Sequence, residues 1–324
     1  MEIYQTVLCL IGAIVGAGFA SGREIAGFFA SYGAAAPMLC LLAAGAITAL
    51  MGALTSSGIT VKLFSDGIGE LLLSALLIVT GGAMLAAAGD VCALTIPIFY
   101  AREIGMAGTL LASFFLSGRS VRALSLPSAL LLPLLLSALL LTQNGAPAGQ
   151  SWPAADAFAL GGVKALAYAG MNTALSSGVL CDMQKNLDKK GLCRACAWLF
   201  FFVLLLLLLG VRALQGAGNE VMQSALPFIF LLRGYGKTGF YLAAALLYFA
   251  SLSTLAAILR ALLRQASVRA PRYGRTLVFL CVLLTALMGL QALVENLYPI
   301  LGLICFISII IKLIRNRTLK IAGE

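Results

Sequence analysis

The sequence predicts an all-α integral membrane protein with ten transmembrane helices, arranged as two sets of five related by an inverted repeat. Three observations carry this expectation. The 324 residues are 61% hydrophobic and only 10% charged, with a mean hydropathy of +1.03. Apolar runs of about 20 residues, the length that crosses a bilayer as helix, recur along nearly the whole chain. Two of those runs, the first and the sixth, are interrupted by glycine and polar residues at the same place in each set of five, which points to a binding site at the repeat interface. Residues 1–324 are read as one transmembrane domain, with repeats over 1–143 and 150–317.

The first span, Ile3 to Tyr32, contains Gly16-Ala17-Gly18-Phe19-Ala20-Ser21-Gly22. Each glycine costs about 1 kcal/mol relative to alanine in a helix. Backbone freed at that depth must be buried in protein or line a polar cavity. Met1-Glu2 supplies no basic leader region, so the run is expected to stay in the mature chain. The next spans are Pro37 to Lys62, Ile68 to Phe99, Glu103 to Arg119 and Leu124 to Thr142. The second set is Phe158 to Met183, Cys193 to Leu214, Tyr241 to Arg264, Leu277 to Leu293 and Tyr298 to Arg315. Val221 to Leu232, with Pro227 inside it, is too short to span and reads as a re-entrant or interfacial helix. The sixth span carries the second expected break, Tyr168-Ala169-Gly170-Met171-Asn172-Thr173, followed by Ser176-Ser177-Gly178.

Charge gives an independent reading of orientation. With the N-terminus inside, the cytoplasmic side holds Lys62, Arg119, Arg122, Lys185, Lys189, Lys190, Arg194, Arg260, Arg264, Arg269, Arg272, Arg275, Lys312, Arg315, Arg317 and Lys320, which is 16 of the 22 basic residues. Arg102, Arg212, Arg233 and Lys237 fall outside, and Arg23 and Lys164 lie within spans. This asymmetry predicts cytoplasmic N- and C-termini in a bacterial inner membrane. Orientation and anionic lipid account for the net charge of +10, so the bilayer is the expected partner and nucleic acid is not.

The stretch Ile11-Gly12-Ala13-Ile14-Val15-Gly16-Ala17-Gly18-Phe19-Ala20-Ser21-Gly22-Arg23-Glu24-Ile25, with Phe28-Phe29, resembles the N-terminal signature of the YkvI-type bacterial membrane proteins. More distantly it is similar to the first helix of the LeuT-fold transporters of the amino acid, polyamine and organocation superfamily. Many of those have about twelve helices, whereas this chain is read as the ten-helix core. The resemblance implies a secondary transporter that carries a small amino-acid-like or other polar organic solute with sodium or a proton, by alternating access. It also implies a sodium site. Ala250, Ser253 and Thr254 match the spacing that supplies a carbonyl and two hydroxyls in sodium-coupled members, and the matching first-helix carbonyls fall at Gly12 and Val15. The alternative is that Ser253 and Thr254 bond back to their own helix.

For the solute, the helix ends at the first break offer amides at Gly16, Ala17, Gly18, Phe19 and Ala20 to an anionic group. Tyr168, Gly170, Asn172 and Thr173 face them from the sixth span with hydroxyl, amide and aromatic contacts. Close helix packing is the other explanation of the glycines. Asp90 and Glu24 are the two carboxylates deepest in the bilayer, and each is a functional candidate. Asp90 is assigned to a substrate amine or a proton, against a structural hydrogen bond. Arg23, Glu24 and Glu295 are assigned to an outer gate, against a static ion pair.

Enzyme chemistry and organic cofactors are not expected. The chain has no histidine, which removes His-based relays and zinc sites of the usual kind. Cys193 and Cys196 form a lone CxxC at a cytoplasmic helix start. The competing class is a membrane receptor or assembly protein that keeps the fold without transport.

Overall fold

In the structure, a computed structural model, residues 3–58, 63–64, 66–118, 136–142, 153–186, 188–217, 219–269 and 272–322 are described. Among them all regular structure is helical. The helices are α1 (Ile3–Ile14), α2 (Ala17–Ser21), α3 (Arg23–Phe28), α4 (Ala36–Ser57), α5 (Gly67–Thr95), α6 (Ala101–Ser117), α7 (Ala155–Leu175), α8 (Ser177–Asn186), α9 (Lys189–Ala217), α10 (Asn219–Gln223), α11 (Pro227–Arg233), α12 (Gly236–Arg269), α13 (Gly274–Leu287), α14 (Leu290–Ala292) and α15 (Tyr298–Ala322).

Five helical stretches among the described residues are long and apolar enough to cross a membrane: Ala30–Ser57, Gly67–Thr95, Lys190–Ala217, Gly236–Ser267 and Leu290–Thr318. They fall where the second, third, seventh, eighth and tenth spans are expected. The first expected span is divided into α1, α2 and α3. Most of the fifth, at 119–135, lies outside the described residues, as do Lys62, Arg119, Arg122 and residues 143–152 of the outer loop; a helical piece at 136–141 precedes that loop. Side chains exposed along the bundle include Leu42, Phe115, Phe201, Leu284 and Ile307. Apolar surface on this scale belongs against lipid, since in water it is an association patch.

The centre of the bundle is α5, which is buried without interruption from Val79 to Gly89 and packs against α6, α12 and α13. A helix with no polar face occupies a core. Its small residues set the spacing, because helices in lipid associate by close packing rather than by a hydrophobic drive. A methyl group at Gly82 would meet the Thr285 side chain and the Ala286 amide. The second seam joins α7 to α15, where Gly170 lies on the backbone of Gly302 and Phe306, and Gly302 on the carbonyl of Ala167.

Two boundaries differ from expectation. The segment Val221 to Leu232 is not one re-entrant helix but two short ones, α10 and α11, bent at residues 224–226. Pro227 opens α11 at its first turn, where its missing amide proton costs nothing. The expected ninth span, Leu277 to Leu293, ends at Leu287, and Gly289 turns the chain with φ 84°. Residues beyond it lead through α14 and a π-helical turn, Leu293–Leu297, into α15.

Candidate functional site

The first helix opens twice. After Ile14 the chain leaves helical geometry at Gly16 (φ −77°, ψ −176°) and re-enters it as α2; then Gly22 (φ 82°, ψ −7°) closes α2 and starts α3. Gly22 is required on two counts. Its left-handed backbone is strained for any other L residue, and a methyl group there would meet the Phe228 ring at 3.0 Å. Ser21 supports the turn: its hydroxyl donates to the Gly18 carbonyl at 2.7 Å and accepts the Arg23 amide at 3.1 Å. The interruption is therefore two sharp corners around one helical turn rather than seven unwound residues. Consequently Ala20 is not a free donor, because its amide is bonded to the Gly16 carbonyl at 3.0 Å. Ala17, Gly18 and Phe19 form the first turn of α2, and Phe19 is buried.

The sixth span behaves differently. α7 runs unbroken through Tyr168, Gly170, Asn172 and Thr173, so the expected break at these residues is not present. Its end falls at Ser176, where the backbone bonds still continue: the Ser176 amide reaches the Asn172 carbonyl at 3.0 Å, and the Leu180 amide the Ser176 carbonyl at 3.0 Å. Gly170 faces α15 as a packing residue. The Asn172 side-chain amide donates back to the Tyr168 carbonyl at 2.9 Å. Thr173 and Ser176 have buried hydroxyls with no partner among the described residues. Tyr168 meets the first helix directly, its ring packed on Phe28 at 5.3 Å and Phe29 at 5.2 Å.

Arg23 and Glu24 are both buried, and they point to different partners. Arg23 donates to Glu295, the expected gate pair, and also to the carbonyls of Met222 at 2.7 Å and Ser224 at 3.2 Å. One guanidinium thus ties α3 to the α10–α11 hairpin and to the π-helical turn that carries Glu295. Such turns place side chains that a regular helix would aim elsewhere. Gln291 adds a second contact to Glu295 at 3.2 Å.

Glu24 belongs to no ion pair among the described residues. Its carboxyl folds back over Gly18, in the space a side chain there would fill. It lies within electrostatic reach of the hydroxyls of Tyr168 and Tyr298, which also interact with the side chains of Asn172 and Thr80 respectively. Both rings are fully buried. The protein's own carboxyl therefore stands beside the α2 turn read as the cradle for an anionic solute, apart from the Arg23–Glu295 pair.

Asp90 is paired. Arg102 donates to it at 2.7 Å across the turn between α5 and α6, with both side chains partly exposed. An amine or a proton at Asp90 would have to compete with that partner, and the structural hydrogen bond it makes goes to Arg102 rather than to the broken helix. At the cation candidate, Gly16 faces the Thr254 methyl group, 3.9 Å from where a side chain would begin, and the Ser253 hydroxyl donates to the Ala250 carbonyl at 3.1 Å. Ser253 thus has the back-bond that its position in a helix allows. Among the described residues no hydrogen bond joins Gly12 or Val15 to these groups; the Val15 amide bonds the Ile11 carbonyl at 2.7 Å. Lys164, the other cation within a span, donates to the Gly27 carbonyl at 3.3 Å and lies 5.8 Å from the Tyr32 ring centre.

Sequence reasoning missed Tyr298, Phe228, Arg102 and the carbonyls of Met222 and Ser224. Only Pro227 marked the hairpin; the other contacts join residues far apart in the chain and leave no local pattern. No protein-family model and no curated protein matches the chain.

Proposed function

We propose that the chain is a secondary active transporter of the LeuT-like kind, related to the YkvI-type proteins. In this reading ten helices form a 5+5 inverted repeat in a bacterial inner membrane, with both termini inside. A small amino-acid-like or other polar organic solute crosses by alternating access, together with sodium or a proton.

The observation that supports this best is the doubly cornered first helix, with two buried charged residues immediately after its second corner. Broken backbone at membrane depth is expensive and is kept where it serves a site. Intramembrane charges are costly for the same reason, at about 2.5–3.5 kcal/mol each on insertion scales. A scaffold needs neither. The Arg23–Glu295 clasp, seated on a short helical hairpin, fits an outer gate that must open and close.

The test uses purified protein in detergent and in proteoliposomes, with a panel of amino acids and amines in the presence and absence of sodium. A coupled carrier is stabilised by solute and cation together, by about 2.7 kcal/mol at a hundredfold excess over Kd, and shows solute counterflow. Ser253→Ala with Thr254→Ala should abolish any sodium-dependent stabilisation while the fold persists. An unchanged sodium response in that double variant removes this pair from the cation site. Absence of both stabilisation and counterflow across the panel favours the receptor class instead.

A further inference from the structure

We propose that Glu24, seated over Gly18 at the break in the first helix, takes up and releases the coupled proton. The word coupled rests on the transporter reading above; the protonation site does not.

Three facts meet at this carboxyl. It is buried and has no cationic partner among the described residues, where Arg23 is committed to Glu295, Arg102 to Asp90 and Lys164 to the Gly27 carbonyl. A lone carboxylate in such surroundings is very costly, whereas the neutral acid is tolerated. Two fully buried phenols, Tyr168 of α7 and Tyr298 of α15, lie within its electrostatic reach, their hydroxyls interacting with the side chains of Asn172 and Thr80. Finally, Gly18 leaves the space that the carboxyl fills, so the group has a built seat.

A proton fits this seat better than a metal ion. The carboxyl lies directly on the Gly18 backbone and Tyr168 is packed between Phe28 and Phe29, while a proton needs no added volume. The two forms also differ in what they hold. The neutral acid offers the phenols one weak carbonyl acceptor, and their hydroxyls turn to Asn172 and Thr80. When the Glu24 O–H bond breaks and its proton passes to water on the open side, the carboxylate accepts a hydrogen bond from each phenol. Those bonds draw α7 and α15 onto α3, which links proton release to a rearrangement of the three helices around the break.

The other titratable and charged groups nearby are accounted for. From α4, Cys40 lies beside Tyr168; Tyr32 and Lys164 pair with each other at the outer end of α3. Arg212 on α9 and Glu220 on α10 are exposed. The Arg23–Glu295 pair carries no net charge.

The test is infrared titration of the full-length protein in lipid, following the carbonyl-stretch band of a protonated carboxylic acid. At neutral pH the parent chain should show a band that disappears on alkalinisation and is absent from Glu24→Gln. The variant Tyr168→Phe with Tyr298→Phe should keep the band and shift its midpoint upward by about one pH unit or more, since the ionised form has lost two donors. Gly18→Ala, which fills the seat, should also displace the midpoint. The same pH-dependent band in Glu24→Gln, or a midpoint that moves with sodium concentration, overturns the proposal. Solute uptake separates the two readings. If the Glu24 band titrates but the parent chain carries no solute, the transporter reading falls and the protonation site stands. If Glu24→Gln carries solute with unaltered pH dependence, the proton proposal falls and the transporter stands.

Discussion

The first helix and the sixth span contain similar runs of small and polar residues, and the structure treats them in opposite ways. Around Gly16 and Gly22 the chain turns two corners. Around Gly170 it stays helical and uses the missing side chain to lay α7 against α15. Glycine alone therefore does not distinguish a break from a seam; its partner does. Gly22 faces the Phe228 ring and takes a left-handed backbone, whereas Gly170 faces the backbone of another helix. A seam glycine answers to distance and a break glycine to conformation.

The largest effect should come from the seam. In Gly170→Val the new side chain meets the Phe306 amide and Cβ within 2.6 Å, and both lie too close to the helix axis to give way. Separating α7 from α15 should cost about 3 kcal/mol or more, the upper end of overpacking. Thermal unfolding of purified protein should fall sharply. A parent-like Tm would mean that the two helices are not joined there.

Next is the clasp at the break. Arg23→Gln removes the charge that holds Glu295 and two hairpin carbonyls. Breaking a buried pair from one side costs about 3–5 kcal/mol, but Glu295 is 41% exposed, so water screens much of that and roughly 1–2 kcal/mol is expected. The informative readout is access. Cysteine labelling at positions 222 and 224 should rise in Arg23→Gln and stay low in Gln291→Ala, which removes only the lesser contact to Glu295. Equal labelling in both would make the pair an ornament of the surface rather than a latch.

A matched pair of glycine variants sharpens the comparison further. Gly22→Ala should lose about 1–2 kcal/mol from its left-handed backbone alone, with more from Phe228. Gly178, from the run expected to break the sixth span, lies in α8 with open space around it. Gly178→Ala should be neutral or gain up to about 1 kcal/mol of helix propensity. Denaturant unfolding that ranked the two in the reverse order would undo the distinction between corner and helix.

That ranking also shows what was legible in the residues. Half of the span positions were readable because bilayer thickness dictates the length of apolar runs: the five long apolar stretches overlap the expected second, third, seventh, eighth and tenth spans. The corner at Gly16 was readable from three glycines within seven residues, Gly16, Gly18 and Gly22. The continuity of α7 was not, because Gly170 and Asn172 look unfavourable until Gly302 and the Tyr168 carbonyl are supplied from elsewhere. The pairing of Asp90 was not legible for the same reason: its partner Arg102 lies in the next helix and was read as a loop charge. Glu24 was found as an intramembrane charge, but its setting depends on Tyr298, nearly the whole chain away.

The smallest effect concerns the other end of α15. Near the start of α5, Asp66 accepts a hydrogen bond from Lys312, which also donates to the Leu63 carbonyl. The Lys312 hydrogen bond and charge hold the Asp66 carboxyl below the usual carboxylate range. A depressed folded value means that the contribution is fully present above the unfolded aspartate value, near pH 4, and is lost as pH falls through the folded one. If the glycine seam holds α15 in place, this exposed clasp adds little. Asp66→Asn should then match the parent chain in Tm below about pH 3 and fall only slightly under it at pH 7. A deficit at pH 7 as large as that of Gly170→Val would shift the anchoring of α15 from its seam with α7 to the end that carries Lys312.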